Sequence, residues 1–396
     1  MSRTALPAGV WALGFVSLFM DVSSEMIHAL LPVYLVSGFG ATMLAVGVIE
    51  GMAEATAQVV KVFSGALSDR LGRRKPLALV GYGLAALTKP VFPLAGSLGW
   101  IVAARFVDRV GKGIRGAPRD ALVADLTPEG QRGAAYGLRQ TLDTIGAFVG
   151  PVIAIALMWA TADNIPAVFW ASLLPAGLSV TLLWFFVREP ARPDRALPRM
   201  PISRAAMVRL GPGYWAVVAA ASLFALAKFS EAFLVLRADT AGLRPAMIPL
   251  VLIVMNLVYA VAAYPAGAWS DRAGRGPVLA AGVGLLVAGD LVMAFGPGLA
   301  GAFGGIALWG ASMGFTQGAF AALVADRAPM DLRGTAFGVL NLATGVATLA
   351  ASVVAGLLWD KLGPSATFFA GAGLGLLALV AVLALSRGRR MPPGAG

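Results

Sequence analysis

The feature that most constrains this chain is the recurrence, from one end to the other, of apolar runs about 20 residues long, the length a helix needs to cross the hydrocarbon of a bilayer. The 396 residues are 58% hydrophobic and only 13% charged, a balance no soluble domain of this length shows. Turn and charge breaks predict twelve helices near 10–36, 43–68, 77–96, 99–125, 133–159, 165–187, 214–240, 246–269, 277–297, 299–325, 334–359 and 364–386. The expected fold class is an all-α membrane protein with twelve transmembrane helices in two six-helix bundles. The first run is too long for a cleavable signal, and Asp21, Glu25 and His28 interrupt it. There is no Cys, which excludes thiolate metal sites and disulfides. One long polar connection, 188–213, is rich in Pro and Arg; it sets the expected domains at 1–187, 188–213 (linker) and 214–396.

The formal charge of +11 is explained by where the cations lie. Arg70, Arg73, Arg74 and Lys75 follow the second helix, and Arg188, Arg192, Arg195, Arg199, Arg204 and Arg209 fill the central connection. Arg272 and Arg275 follow the eighth helix, and Arg387, Arg389 and Arg390 end the last. Little beyond Arg244 and Lys361 falls in the alternate loops. Positive loops face the cytoplasm, so both termini are expected there, in a bacterial inner membrane, and no nucleic-acid partner is needed to explain the charge.

The two halves repeat. ALVADLTPEGQRGAAYGLRQ (121–140) returns as ALVADRAPMDLRGTAFGVLN (322–341), 10 of 20 positions identical at an offset of 201. GALSDRLGR (65–73) returns as GAWSDRAGR (267–275), and SSE at 23–25 has an echo in FSE at 229–231. A six-helix repeat in one orientation predicts two bundles related by a pseudo-two-fold along the membrane normal.

Within this apolar chain, RFVDRVGKGIRGAPRDALVADL (105–126) is the exception. Its Gly111-x-Gly113-x-x-Gly116 matches the letters of a dinucleotide fingerprint, but the strand that must precede it is missing. Arg105, Asp108/Arg109, Lys112, Arg115 and Arg119 instead fall at helical spacing, mostly on one stripe. A charge in hydrocarbon costs about 2.5–3.5 kcal/mol on insertion scales, so such a stripe must face protein or water. The repeat sharpens this: Arg109, Lys112, Arg115 and Arg119 correspond to Gly310, Met313, Thr316 and Phe320. Asp21, Glu25 and His28 share one face of the first helix, and Glu50, Glu54, Gln58 and Lys61 one face of the second. The second half is apolar apart from Lys228, Glu231, Asn256, Gln317 and Asn341. Arg119, Asp120, Asp125, Arg139 and Asp143, toward the cytoplasmic end, read equally well as a network locking helices together. The lone His28 reads first as a hydrogen-bonded packing residue. Gly111, Gly113 and Gly116 are expected at close helix contacts.

Gly65-Ala66-Leu67-Ser68-Asp69-Arg70-Leu71-Gly72-Arg73-Arg74-Lys75 resembles the loop 2–3 signature GxLaDrxGrk of the major facilitator superfamily, and the likeness extends over the full length. Arg109-x-x-Lys112-Gly113-x-Arg115-Gly116-Ala117 is similar to that family's helix-4 pattern RxxqGxgaA, with Lys112 and Arg115 where Gln and Gly are usual. Gly146-x-x-x-Gly150-Pro151 resembles the helix-5 antiporter motif without its closing Gly pair. The resemblance implies alternating access around a midplane site, proton coupling through Arg109, and a cytoplasmic gate of Asp69, Arg70 and Arg73 with Asp271 and Arg272 as counterpart.

These readings predict a secondary transporter, since the phosphate loop GxxxxGK[ST] is missing and the energy should come from a gradient. The expected substrate is a small organic solute, anionic or zwitterionic because cations outnumber carboxylates on the fourth helix, exported in exchange for protons. Asp21, Glu25 and Glu54 are the candidate proton carriers, with Arg109, Lys112, Arg115, Lys228 and Glu231 completing the substrate and coupling site. One alternative is divalent-metal efflux through Asp21, Glu25, His28 and Glu54. Another is a receptor on a transporter scaffold. No nucleophile–base constellation or cofactor motif points to an enzyme. The chain is expected to act as a monomer.

Overall fold

In hydrocarbon every backbone N–H and C=O must be satisfied within the protein, and an apolar run does this alone only as a helix. The computed structural model describes residues 6–71, 73–189, 204–329 and 332–387. Among the described residues there are twelve long helical segments and no strand: α1 (Ala8–Gly38), α2 (Met43–Leu71), α3 (Lys75–Leu94), α4 (Leu98–Leu126), α5 (Arg132–Ala160), α6 (Ile165–Phe186), α7 (Pro212–Thr240), α8 (Pro245–Ala273), α9 (Arg275–Phe295), α10 (Gly298–Arg327), α11 (Arg333–Leu362) and α12 (Pro364–Arg387). Eleven of the twelve are long and apolar enough to cross a membrane; α4, with its charges, is the one that is not.

Several segments are broken where the sequence requires it. In α1 the regular helix ends at His28 and resumes at Leu31, because Pro32 has no N–H for the preceding turn. In α3 the break falls at Lys89 and Pro90, in α7 at Lys228–Ser230, and in α10 at Gln317 and Gly318. Gly318 sits at φ 71°, a left-handed conformation that a residue with a Cβ adopts only with strain.

The chain divides into two compact units. The first comprises Met1–Ala41, Met52–Met200 and Arg244–Ile253; the second comprises Thr42–Gly51, Pro201–Leu243 and Val254–Gly396. The boundaries therefore do not follow the central linker alone: the first turns of α2 count with the second unit and those of α8 with the first. Residues 190–203 of that linker, with Arg192, Arg195 and Arg199, lie outside the described residues, as do Arg389 and Arg390 of the tail.

The first unit's core is built from α1, α3, α4, α5 and α6, with Leu13, Val16, Met20, Tyr82, Leu122, Ala176 and Leu183 fully buried or nearly so. Glycines set its closest approaches. A Cβ added to Gly146 or Gly150 of α5 would lie 2.7 Å from the carbonyl oxygens of Leu18 and Val22, so α5 can reach α1 only without side chains there. Gly111 of α4 meets Gly81 of α3, and Gly113 meets Val60 and the carbonyl of Ala57 on α2. Gly116 has a looser contact: the atoms nearest to an added Cβ belong to the stem of Lys61 on α2, at 3.6 Å and beyond.

The second unit is packed with aromatic and aliphatic side chains. Tyr214 is buried and donates to the Ala336 carbonyl at 3.0 Å. Phe229, Phe233, Trp309, Trp359 and Phe368 form one cluster of tilted and edge-on rings. At the start of α2, Met43 N–H and Leu44 N–H donate to the two carboxylate oxygens of Asp360 at 3.0 and 2.8 Å, so a side chain of α11 caps that helix.

Candidate functional site

The charged stripe of α4 lies in the first unit, and the structure gives most of its members partners. Arg109, 5% exposed, pairs with Glu54 of α2 at 3.1 Å and approaches Asp108 at 3.9 Å. Arg115 reaches Asp21 of α1 at 3.9 Å and stacks on the Tyr82 ring, 4.6 Å from its centroid. Tyr82 hydroxyl lies 3.3 Å from Ser17 Oγ, which also accepts from Arg119 at 3.1 Å. Glu25 and His28, a turn apart on α1, are 3.4 Å apart through Oε2 and Nδ1. Gly146 and Gly150 hold these carboxylates in place: an added Cβ would also come within 3.1 Å of Asp21 Cβ and 3.0 Å of Glu25 Cβ.

Lys112 stands apart. It lies one turn from both Arg109 and Arg115, is exposed, and among the described residues makes no ion pair or hydrogen bond. Lys228 and Glu231 belong to the second unit, half-buried at the two ends of the break in α7. Glu50 is buried in the part of α2 that counts with the second unit.

Four of the five charges that read equally well as a helix-locking network lie within reach of one another. Arg119 bonds Asp120 at 3.1 Å and lies 3.8 Å from Asp143, while Arg139 pairs with Asp143 and lies 3.7 Å from Asp120. Of the expected gate, Arg70, Arg73, Asp271 and Arg272 are exposed, and the side chain of Asp69 lies outside the described residues. The neighbouring cations are the ones engaged: Arg74 pairs with Asp125 at 3.1 Å, and Arg275 pairs with Asp326. Asp125 and Asp326 are repeat counterparts at an offset of 201, and each holds an arginine from the end of its loop signature. Glu189 accepts from the backbone N–H groups of Arg74 and Lys75. No group of three or more His, Asp or Glu side chains placed to hold a metal ion occurs among the described residues, so Asp21, Glu25, His28 and Glu54 do not assemble as a ligand set.

Sequence reasoning missed one buried charge. Lys89, at the break in α3, pairs with Asp108 at 3.1 Å and also reaches Ser24 Oγ at 3.2 Å. The signal was present: a single Lys in an apolar run has to find a carboxylate.

A sequence profile of the Major Facilitator Superfamily matches residues 13–237 and 217–395. An MFS-type transporter of Methanocaldococcus jannaschii is 29% identical over 385 residues, covering 94% of this chain and 93% of the relative. The multidrug resistance protein MdtH of Edwardsiella ictaluri is 32% identical over 146 residues, 37% of this chain and 35% of that protein. Among solved structures, a point mutant of the nucleoside transporter NupG superposes with a TM-score of 0.80 at 11% identity, covering 95% of this chain and 99% of that one.

Proposed function

The chain belongs to the Major Facilitator Superfamily of membrane transporters, and from that premise we propose that it exports a small anionic or zwitterionic organic solute in exchange for protons. The observation that carries this reading is the exposed ammonium of Lys112 between two guanidinium groups that already have carboxylate partners. Packing does not require a cation there, since the repeat counterpart is Met313. An anionic group of a solute would complete the charge balance of the stripe.

Asp21, Glu25 and Glu54 are the proposed proton carriers, and Arg109 their partner in coupling. A proton arriving on Glu54 would release Arg109 from its 3.1 Å pair, leaving the guanidinium free to meet a solute. Proton and solute would then compete for the same cation, which is the logic of exchange. The outward direction is supported by the name of one relative, multidrug resistance, a trait that removal of a toxic solute would confer. Lys228 and Glu231, beside the break in α7, are the proposed contribution of the second half. Asp69, Arg70, Arg73, Asp271 and Arg272 remain the proposed cytoplasmic gate, with both termini on that side of a bacterial inner membrane.

The test is proton-driven transport in reconstituted vesicles, with Arg109→Gln beside the wild type. Loss of transport is expected, well beyond what any fall in melting temperature from breaking the Glu54 pair accounts for. Wild-type transport with unchanged pH dependence would contradict the coupling role.

A further inference from the structure

The Lys89–Asp108 pair has a counterpart that carries a different chemistry. An offset of 201 takes Lys89 to Asp290 of α9 and Asp108 to Trp309 of α10. These two residues also meet: the Trp309 indole Nε1–H donates to Asp290 Oδ1 at 2.8 Å. The same seat between neighbouring helices holds a buried polar pair in each unit. In the first, an ammonium cancels a carboxylate. In the second, the carboxyl faces an indole, which donates a hydrogen bond and brings no charge.

Asp290 and Trp309 are both 0% exposed. The other carboxyl oxygen, Oδ2, is buried without a hydrogen-bond partner. It is pressed against α12 and an aromatic ring: a Cβ added to Gly371 would lie 2.6 Å from Oδ2 and 2.9 Å from the Phe229 ring.

The charged groups around this seat are accounted for. α10 over Gly298–Thr316 and α12 over Pro364–Leu385 contain no titratable residue. The only other charge on α9 is Arg275 at its start, which pairs with Asp326. On α7 lie Lys228, Glu231, Arg237 and Asp239; the Arg237 guanidinium, which does reach α9, donates to the carbonyls of Met293 and Gly296 at 3.1 and 2.9 Å. On α11, Arg333 and Lys361 stand at the ends, and Asp360 caps α2. Among the described residues no cation pairs with Asp290. An uncompensated buried carboxylate is far more costly than a neutral acid with one unmatched hydrogen-bonding group.

We propose that the Asp290 carboxyl is a proton-binding site: a proton taken from water sits on Oδ2 and neutralises the seat that Lys89 neutralises in the first unit. This goes beyond the reading of α4, because no residue of that stripe takes part and no solute has to be known to test it.

The experiment is infrared difference spectroscopy of the purified full chain at neutral pH, wild type against Asp290→Asn. A carbonyl-stretch band of a protonated carboxylic acid, shifted in heavy water and missing from the variant, is the expected result. Asn is a neutral isostere, so the melting temperature should be retained. Should Asp290→Asn not fold, Trp309→Phe removes the donor on Oδ1 and should move the same acid band. A difference spectrum holding only carboxylate stretches would overturn the proposal. So would a Trp309→Phe spectrum in which every acid carbonyl band stays in place.

Discussion

The two units answer the same problem, a buried polar seat between the third and fourth helices of the repeat, in opposite ways. In the first unit α4 carries Arg105, Asp108, Arg109, Lys112 and Arg115, and neighbouring helices supply Asp21, Glu54 and Lys89 to balance them. In the second, α10 has Trp309, Gly310, Met313 and Thr316 at the corresponding positions, and packing replaces charge. Gly310 lets α10 touch α8, since a Cβ there would lie 2.4 Å from the Met255 carbonyl. One backbone plan thus tolerates either a charged stripe or an apolar one. The charges of α4 were therefore not needed for the fold, and need another reason.

Removing one partner from each seat should give the widest separation between the units. Lys89→Ala strands Asp108, and loss of one member of a buried pair costs about 3–5 kcal/mol; a large drop in melting temperature is expected, with recovery in Lys89→Met/Asp108→Leu. Next in size are the close contacts. Gly150→Ala and Gly310→Ala each drive a Cβ into a backbone carbonyl, at 2.7 and 2.4 Å. Overpacking of this kind costs about 1–3 kcal/mol. Gly150→Ala should also impair transport, because it displaces the turn of α1 that bears Glu25, whereas Gly310→Ala should act on stability alone. Equal effects on transport would blur the contrast.

Trp309→Phe should cost less than Lys89→Ala, about 1 kcal/mol for a single hydrogen bond. A loss as large as that of Lys89→Ala would mean that Asp290 is a charge dependent on its partner. Smallest of all should be Arg275→Gln. Its pair with Asp326 is 39% and 38% exposed, and exposed pairs contribute about 0–1 kcal/mol. Arg74→Gln should cost more, because its pair with Asp125 is 12% and 20% exposed. Thermal unfolding of the four single variants in one detergent ranks them.

Much of this was legible in the sequence, for physical reasons. Apolar runs must be helices in a membrane, so twelve segments could be read, including α4, whose spacing survives its charges. The repeat showed that α4 differs from α10. That carboxylates of α1 and α2 compensate the cations of α4 followed from the cost of a bare charge, but not which of them meets Arg109 or Arg115. What escaped was register in three dimensions. Nothing in the pattern of α3 says that the break before Pro90 turns Lys89 toward Asp108. Likewise, the loop signature does not say that Arg74 rather than Arg73 finds a carboxylate. Asp290 could have been flagged as the lone acid in the run from Val278 to Phe295. The breaks in α7 and α10 follow from packing and from Gly318, and no local run of residues announces them.

The claim on which the account rests is that the first unit's stripe exists to meet a solute, and Lys112 tests it most directly, being exposed and outside every ion pair of the stripe. The measurement is the melting temperature of purified wild type and Lys112→Gln, alone and with a panel of small organic anions, since a ligand that binds the native state raises it. The two proteins should melt together without ligand, and at least one anion should stabilise the wild type and fail to stabilise the variant. An anion that stabilises both equally would contradict the claim, as would a variant that melts well below the wild type with no ligand present.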